Sequence, residues 1–192
     1  EWTFFTGDGA PKATHSGIAL SGTNYPAASR PLGLPSPPTA ASAVVTGAVD
    51  DTETVETRVY TYTFVNKEAG REIESAPAPA STSVDVRTTQ TVTLSNFAAV
   101  PGSGYIVTHR RIYRSTSGVF LLVDEIPVAQ GSFPDNVDPD DLAEEIPSLY
   151  WAEPPAALQG LINLPNGMMA GFVGRDLYFC EPYRPHAWPE NY

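Results

Sequence analysis

His15, His109 and His186 lie far apart along this chain, and a single cysteine, Cys180, accompanies them. No HxH or HxxxH spacing brings two imidazoles onto one strand or helix face, so the sequence offers no zinc set. No nucleophile elbow, phosphate loop or dinucleotide fingerprint is present. The acidic run Asp135, Asp138, Asp140, Asp141, Glu144 and Glu145 could supply oxygen ligands to Ca²⁺, but it lacks the glycine and terminal glutamate of a calcium loop. It reads as a solvated acidic loop whose aspartates cap a short helical turn, and Gly7-Asp8-Gly9 reads as a tight turn. The expectation is no metal and no cofactor. His109, Arg110, Arg111 and Arg114 form the basic cluster. On a strand they would divide between two faces, Arg110 and Arg114 on one and His109 and Arg111 on the other. That makes a poor nucleic-acid platform and favours exposed arginines paired with acids of a neighbouring strand or subunit. Trp151, Tyr183, His186 and Trp188 could stack on a sugar. The competing reading is that they pin a proline-rich segment into an apolar groove.

The chain has 192 residues and a formal net charge of −11. Its sequence pI is near 4.5. That balance opposes nonspecific attraction to nucleic acid and anionic membranes, which needs clustered Lys and Arg. No apolar run approaches the roughly 20 residues of a membrane-spanning helix. One cysteine cannot close an intrachain disulfide, and Cys180 lies in the strand-like run DLYFC, so a buried thiol is expected. The start at Glu1-Trp2 without methionine, and the end at Asn191-Tyr192, are what a piece of a longer polypeptide would show.

The elements that would position these residues are strands. With 19 Pro and 15 Gly, and abundant Thr, Ser and Val, the composition favours short strands joined by turns. Residues 1–40 carry little regular pattern, and Trp2, Phe4, Phe5 and Tyr25 are spaced like anchors along an extended N-terminal arm. Residues 41–150 read as an antiparallel β-sandwich. In Val55 to Asn66, Tyr60, Tyr62 and Phe64 alternate with Thr61 and Thr63, which predicts a strand with one buried face. Further strands are expected at Ala43–Gly47, Glu72–Ser75, Ser83–Arg87, Gln90–Leu94, Tyr105–Ser115 and Val119–Ile126, with a last extended piece from Phe133 and one helical turn within Asp138–Glu145. Ala76-Pro77-Ala78-Pro79 suggests an edge. Which face of the Tyr105–Ser115 strand is buried stays open, because Tyr105, Val107 and Tyr113 compete with Ile106 and Ile112. Residues 151–192 read as a linker, then a hairpin turning at Asn166-Gly167, then an extended strap from Glu181 to Pro189. They look like the start of a second β unit, too short to bury a core alone.

The runs VYTYTFVN, GREIESAPAPAS, QTVTLSNF, YIVTHRRIYRSTSGVFLLVDEIP and SFPDNVDPDDLAEEIPSL together resemble a fibronectin type III-like domain of tailed-bacteriophage virion proteins. The flanks FFTGDGAPKAT, YPAASRPLGLP and the stretch from Tyr150 to Tyr192 are similar to those of phage tail proteins of the nozzle or tail-tubular kind. The resemblance implies an all-β, fibronectin III-like sandwich whose exit leads into a propeller-like body. It implies a non-enzymatic structural component located in the virion tail. Its partners would be copies of itself in a ring, other tail and portal proteins, and DNA passing through a channel, with no membrane.

Trp2, Phe4, Phe5, Tyr25, Arg110, Arg114, Trp151, Tyr183 and Trp188 are the expected interface residues. Two other readings stand beside this one: a carbohydrate- or receptor-binding adhesin module, and an accessory β-sandwich of a secreted hydrolase.

Overall fold

The structure is a computed structural model and describes residues 1–102 and 104–189. Strands hold 41% of the chain and helix 4%, so the molecule is all-β. None of the helices among the described residues is long and apolar enough to cross a membrane.

The centre is a four-stranded antiparallel sheet in the order β11-β10-β6-β7, made of β6 (Tyr60–Glu68), β7 (Arg71–Glu74), β10 (His109–Thr116) and β11 (Val119–Pro127). Facing it is a three-stranded sheet, β12-β9-β4, built from β4 (Ser42–Thr46), β9 (Thr91–Ser95) and β12 (Ser132–Asp135). A short pair, β5 (Glu56–Arg58) with β8 (Val84–Val86), accompanies them. Tyr60, Tyr62, Phe64, Ile73, Ile112 and Ile126 meet Val92, Leu94 and Phe133 in the core between the sheets. Burial of each of these side chains stabilises the fold by roughly 2 kcal/mol. The expected turn after Asp138 is a 3-10 turn, Pro139–Asp141, and the Asp138 carboxylate caps it by accepting from Asp140 N–H at 3.0 Å.

Four expectations change. The first concerns β6, which is buried on both faces from Tyr60 to Asn66 rather than on one. Its outward residues are mainly threonines, and their hydroxyls are satisfied. Thr61 donates to Ala78 O (2.8 Å), and Thr63 donates to the Glu74 carboxylate (2.9 Å). Glu74 also accepts from Tyr113 (2.7 Å), Ser148 (3.3 Å) and Arg111 (2.7 Å). Arg111 further pairs with Glu125 (3.0 Å) and with Glu72. Ser148 belongs to the chain after the sandwich, which first lines the free edge of β11 through the Leu121–Glu145 bridge and then crosses this outer face.

The second correction concerns Arg110 and Arg114. Both are buried, at 6% and 0% exposure, not displayed to solvent. In the β6–β10 register Arg110 stands opposite Phe64, Ile112 opposite Tyr62 and Arg114 opposite Tyr60, so the Ile112 face is the inner one. Arg114 donates to Asp135 at 2.8 Å and to Val137 O at 3.0 Å, and Tyr60 donates to the same Asp135 oxygen at 2.6 Å. Arg110 donates to the carbonyls of Val128, Gln130 and Ala98 while lying over the Phe97 ring. The guanidinia thus satisfy backbone carbonyls and a buried carboxylate at the two ends of the core.

The third correction concerns residues 1–40. They are not patternless: β1 (Trp2–Phe5), β2 (Lys12–His15) and β3 (Arg30–Pro31) form a three-stranded sheet, with a helical turn at Ser16–Ala19. This sheet docks on the β6–β7 turn. Arg30 pairs with Glu68 at 3.2 Å, and Trp2 Nε1 donates to Ala69 O.

Fourth, the single strand expected from Val55 to Asn66 is two, β5 and β6, which join different sheets across Val59. The strand expected from Tyr105 begins only at His109.

The segment Ser75–Ser81, with its two prolines, runs along β6 with an unusual ladder. Ser75 and Ser81 donate their N–H groups to Phe64 O and Tyr60 O (2.9 and 2.8 Å), and their hydroxyls accept from the N–H groups of those same residues (3.0 Å each). The serine oxygens take the place of ladder carbonyls where the proline backbone departs from strand geometry.

Asp135→Ala leaves the Arg114 guanidinium buried without its carboxylate. The expected loss of unfolding free energy is about 3–5 kcal/mol, read by urea denaturation. A loss below about 1 kcal/mol would show that the pair does not hold the sandwich end closed.

Candidate interaction surface

The C-terminal strands β13 (Gln159–Asn163), β14 (Met169–Val173) and β15 (Asp176–Phe179) form an antiparallel sheet. The loop between β13 and β14 is wider than the two-residue turn read from Asn166-Gly167. Gly167 N–H closes on Leu164 O, and Gly167 takes φ +78°, which only glycine adopts freely. One face of the sheet packs Met169 with Leu158, Cys180 and Trp188, and Phe4 of β1 completes this second cluster. Cys180 is fully buried and accepts from Met169 N–H at 3.0 Å, and burial pushes its thiol pKa up. The unit therefore draws its core from both ends of the described chain.

The segment after β15 is compact rather than an extended strap. Arg184 N–H closes on Glu181 O, and Ala187 N–H closes on Arg184 O, both at 3.0 Å. Pro182 and Pro185 occupy the second position of these consecutive turns, where their fixed φ belongs. Tyr183, at φ +60°, takes the third position of the first. Trp188 Nε1 donates to Pro185 O at 2.9 Å, and its N–H donates to Ala152 O at 3.0 Å. Gly33 holds the junction. A Cβ there would lie 2.7 Å from Pro154 Cδ and 3.2 Å from His186 O, so the arm, the linker and the turns meet over a position that admits no side chain.

Between β1, the β6–β7 turn and these proline turns lies an open groove of about 700 Å³, lined by Trp2, Phe4, Arg71, Glu72, Tyr183, Arg184 and His186 among others. The Arg71 guanidinium sits 5.2 Å from the Trp2 ring centre and 5.1 Å from that of Phe4, and it donates to Leu32 O at 2.9 Å. Arg184 lies 5.0 Å over Trp151, whose other contact is the His186 ring, edge-on at 5.4 Å. His186 is 5% exposed, and neither ring nitrogen has a hydrogen-bond partner. Burial, reinforced by the charges of Arg71 and Arg184, holds its pKa down to about 3. Burial also lowers Arg71 to about 10. The result is a positive, aromatic-walled concavity on an acidic chain.

Of the residues expected at an interface, Trp2, Phe4, Trp151 and Tyr183 come together here. Trp151 is buried beneath Arg184, and Tyr183 is 82% exposed at the rim. Phe5 borders a separate shallow gap between the arm and Gly160 and Phe172. Tyr25 is exposed, outside the groove lining. Trp188 is used inside the second cluster, and Arg110 and Arg114 inside the sandwich. Arg71 and Arg184 were not singled out from sequence. Arg184 sits in a proline-aromatic run whose turns could have marked it, whereas nothing local distinguishes Arg71. A second concavity of about 250 Å³ includes Arg58 and Arg87 in its lining. Those arginines already pair with Glu56 (2.7 Å) and Asp51 (3.1 Å), so their charge is satisfied within the chain.

His186 gives a pH signature. The unfolded chain takes up its proton near pH 6.5, and the folded chain does so only near 3, so the unfolded state is stabilised relative to the folded one as pH falls through that window. Stability from this group is complete above about pH 6.5 and falls by about 2 kcal/mol by pH 5. His186→Phe should flatten this part of the curve of melting temperature against pH. An unchanged slope between pH 7 and 5 would show that His186 is not held neutral.

No family model matches this chain, and no curated protein is significantly similar to it.

Proposed function

We propose that this chain is a non-enzymatic structural component of a tailed-bacteriophage virion, of the tail nozzle or connector type, which acts by assembling with copies of itself into a ring. The virion assignment rests on the resemblance of the residue runs quoted above. The observation that carries the assembly reading is the outer face of the C-terminal sheet. One face of β13-β14-β15 covers the second cluster. The other presents Ile162, Phe172 and Leu177 at 57%, 41% and 64% exposure. Phe172 and Leu177 are cross-strand partners, and Ile162 stands opposite Ala170, two residues from Phe172 on β14, so the three lie on one face. A contiguous apolar face of this kind usually marks an interface. Neighbouring tail and portal proteins are its other candidate partners, and no turnover is expected. The adhesin reading retains one supporting observation, the exposed Tyr183 beside an aromatic groove, and a glycan array tests it.

Paired Phe172→Asp and Leu177→Asp substitutions should leave the sandwich folded, since neither residue enters its core, and should reduce self-association at least tenfold. Mass photometry and electron microscopy of the protein at micromolar concentration check this. Closed rings that the substitutions abolish support the reading. A chain that stays monomeric at every concentration defeats it.

A further inference from the structure

We infer that the arm–turn groove is a carboxylate-binding site whose occupant is the acidic loop, residues 138–145, of a second copy of this chain. This deepens the ring reading and rests on it for its biological setting.

The groove wall holds polar groups without partners. Both nitrogens of the His186 ring, nearly fully buried in the groove wall, lack partners, and so does Arg71 Nε. Neither Arg71 nor Arg184 forms an ion pair among the described residues, and each guanidinium instead lies on an aromatic ring. The nearby carboxylates are engaged. Glu68 binds Arg30 and approaches His15 (3.8 Å), and Glu72, which itself lines the groove, binds Arg111 and Lys67. The two guanidinia, Arg184 exposed at the rim and Arg71 against desolvating aromatic walls, suit a carboxylate.

The occupant follows from charge and distance. Asp138, Asp140, Asp141, Glu144 and Glu145 are exposed, and among the described residues none enters an ion pair. The loop cannot reach the groove of its own chain. Asp135 binds Tyr60, and Glu145 bridges Leu121, which pairs through Arg114 with Tyr60, so the loop sits at the Tyr60 end of β6. The groove begins beyond Glu68, at the other end, roughly 27 Å away along the strand. Loop and groove are therefore complementary surfaces at opposite ends of one sheet. Their pairing is head-to-tail, the geometry that closes into rings or extends into filaments.

The probe is a synthetic peptide of residues 137–146, titrated into the chain diluted to its monomer and followed by tryptophan fluorescence. Binding that weakens with salt, that falls about tenfold in Arg184→Glu, and that disappears for a peptide with Asp140→Lys and Asp141→Lys supports the site. Arg184 is exposed, so its replacement leaves the fold intact. A peptide that fails to bind, or binds the wild type and Arg184→Glu chains equally, overturns the site, whether or not the chain forms rings. Peptide binding by a chain that never self-associates supports the groove and removes the ring.

Discussion

A central strand buried on both faces sets the terms for the rest of this molecule. The inward side of β6 is aromatic and needs only a facing sheet. Its outward side is a polar layer of Thr61, Thr63 and the carboxylate of Glu74, and such a layer is tolerable away from water only when each group has a partner. Tyr113 and Arg111 from β10 supply two of those partners, and Ser148 supplies another from outside the sandwich. The covering chain is thus held by a polar contact as well as by packing. Once it is placed, Trp151 is positioned to receive Arg184 and His186, and the groove follows from how the outer face of the sandwich is roofed.

Much of the sandwich was legible because alternation is a local signal. The period-two pattern of Tyr60, Tyr62 and Phe64 located β6, and β4, β9, β10 and β11 fall within a few residues of their expected places. The arm sheet was not legible. Its strands span four, four and two residues, too few for a period, and β2 and β3 are joined by a long irregular connection. The double burial of β6 also lay out of reach, because threonine suits a solvated face and a satisfied buried one equally. Alternation correctly placed Arg110 and Arg114 on one face. It could not say that this face was the inner one, since that depends on carbonyls at residues 98, 128 and 130 and on Asp135, brought near only by folding. The proline turns failed as a strap for a definite reason. Each proline sits where a turn needs a fixed φ, and spacing them three apart makes two turns in succession as readily as an extended chain.

The groove itself was half legible. Its aromatic walls were marked by Trp2, Phe4 and Tyr183, with Trp151 beneath Arg184, yet its charges were not. Arg71 arrives from the start of β7 and Arg184 from a turn more than a hundred residues later, so their convergence is a property of the tertiary structure alone.

The second cluster has a consequence for how the chain is made. Trp188, Cys180 and Met169, against which Phe4 packs, are synthesised roughly 165 to 185 residues after it. At ordinary translation rates that interval is roughly 10 to 40 s. The sandwich, whose strands all lie between these ends, can close within it. During that time Phe4 stands without its cover. The interval is one in which a chaperone can engage the arm, and also one in which two chains on the same message could exchange arms.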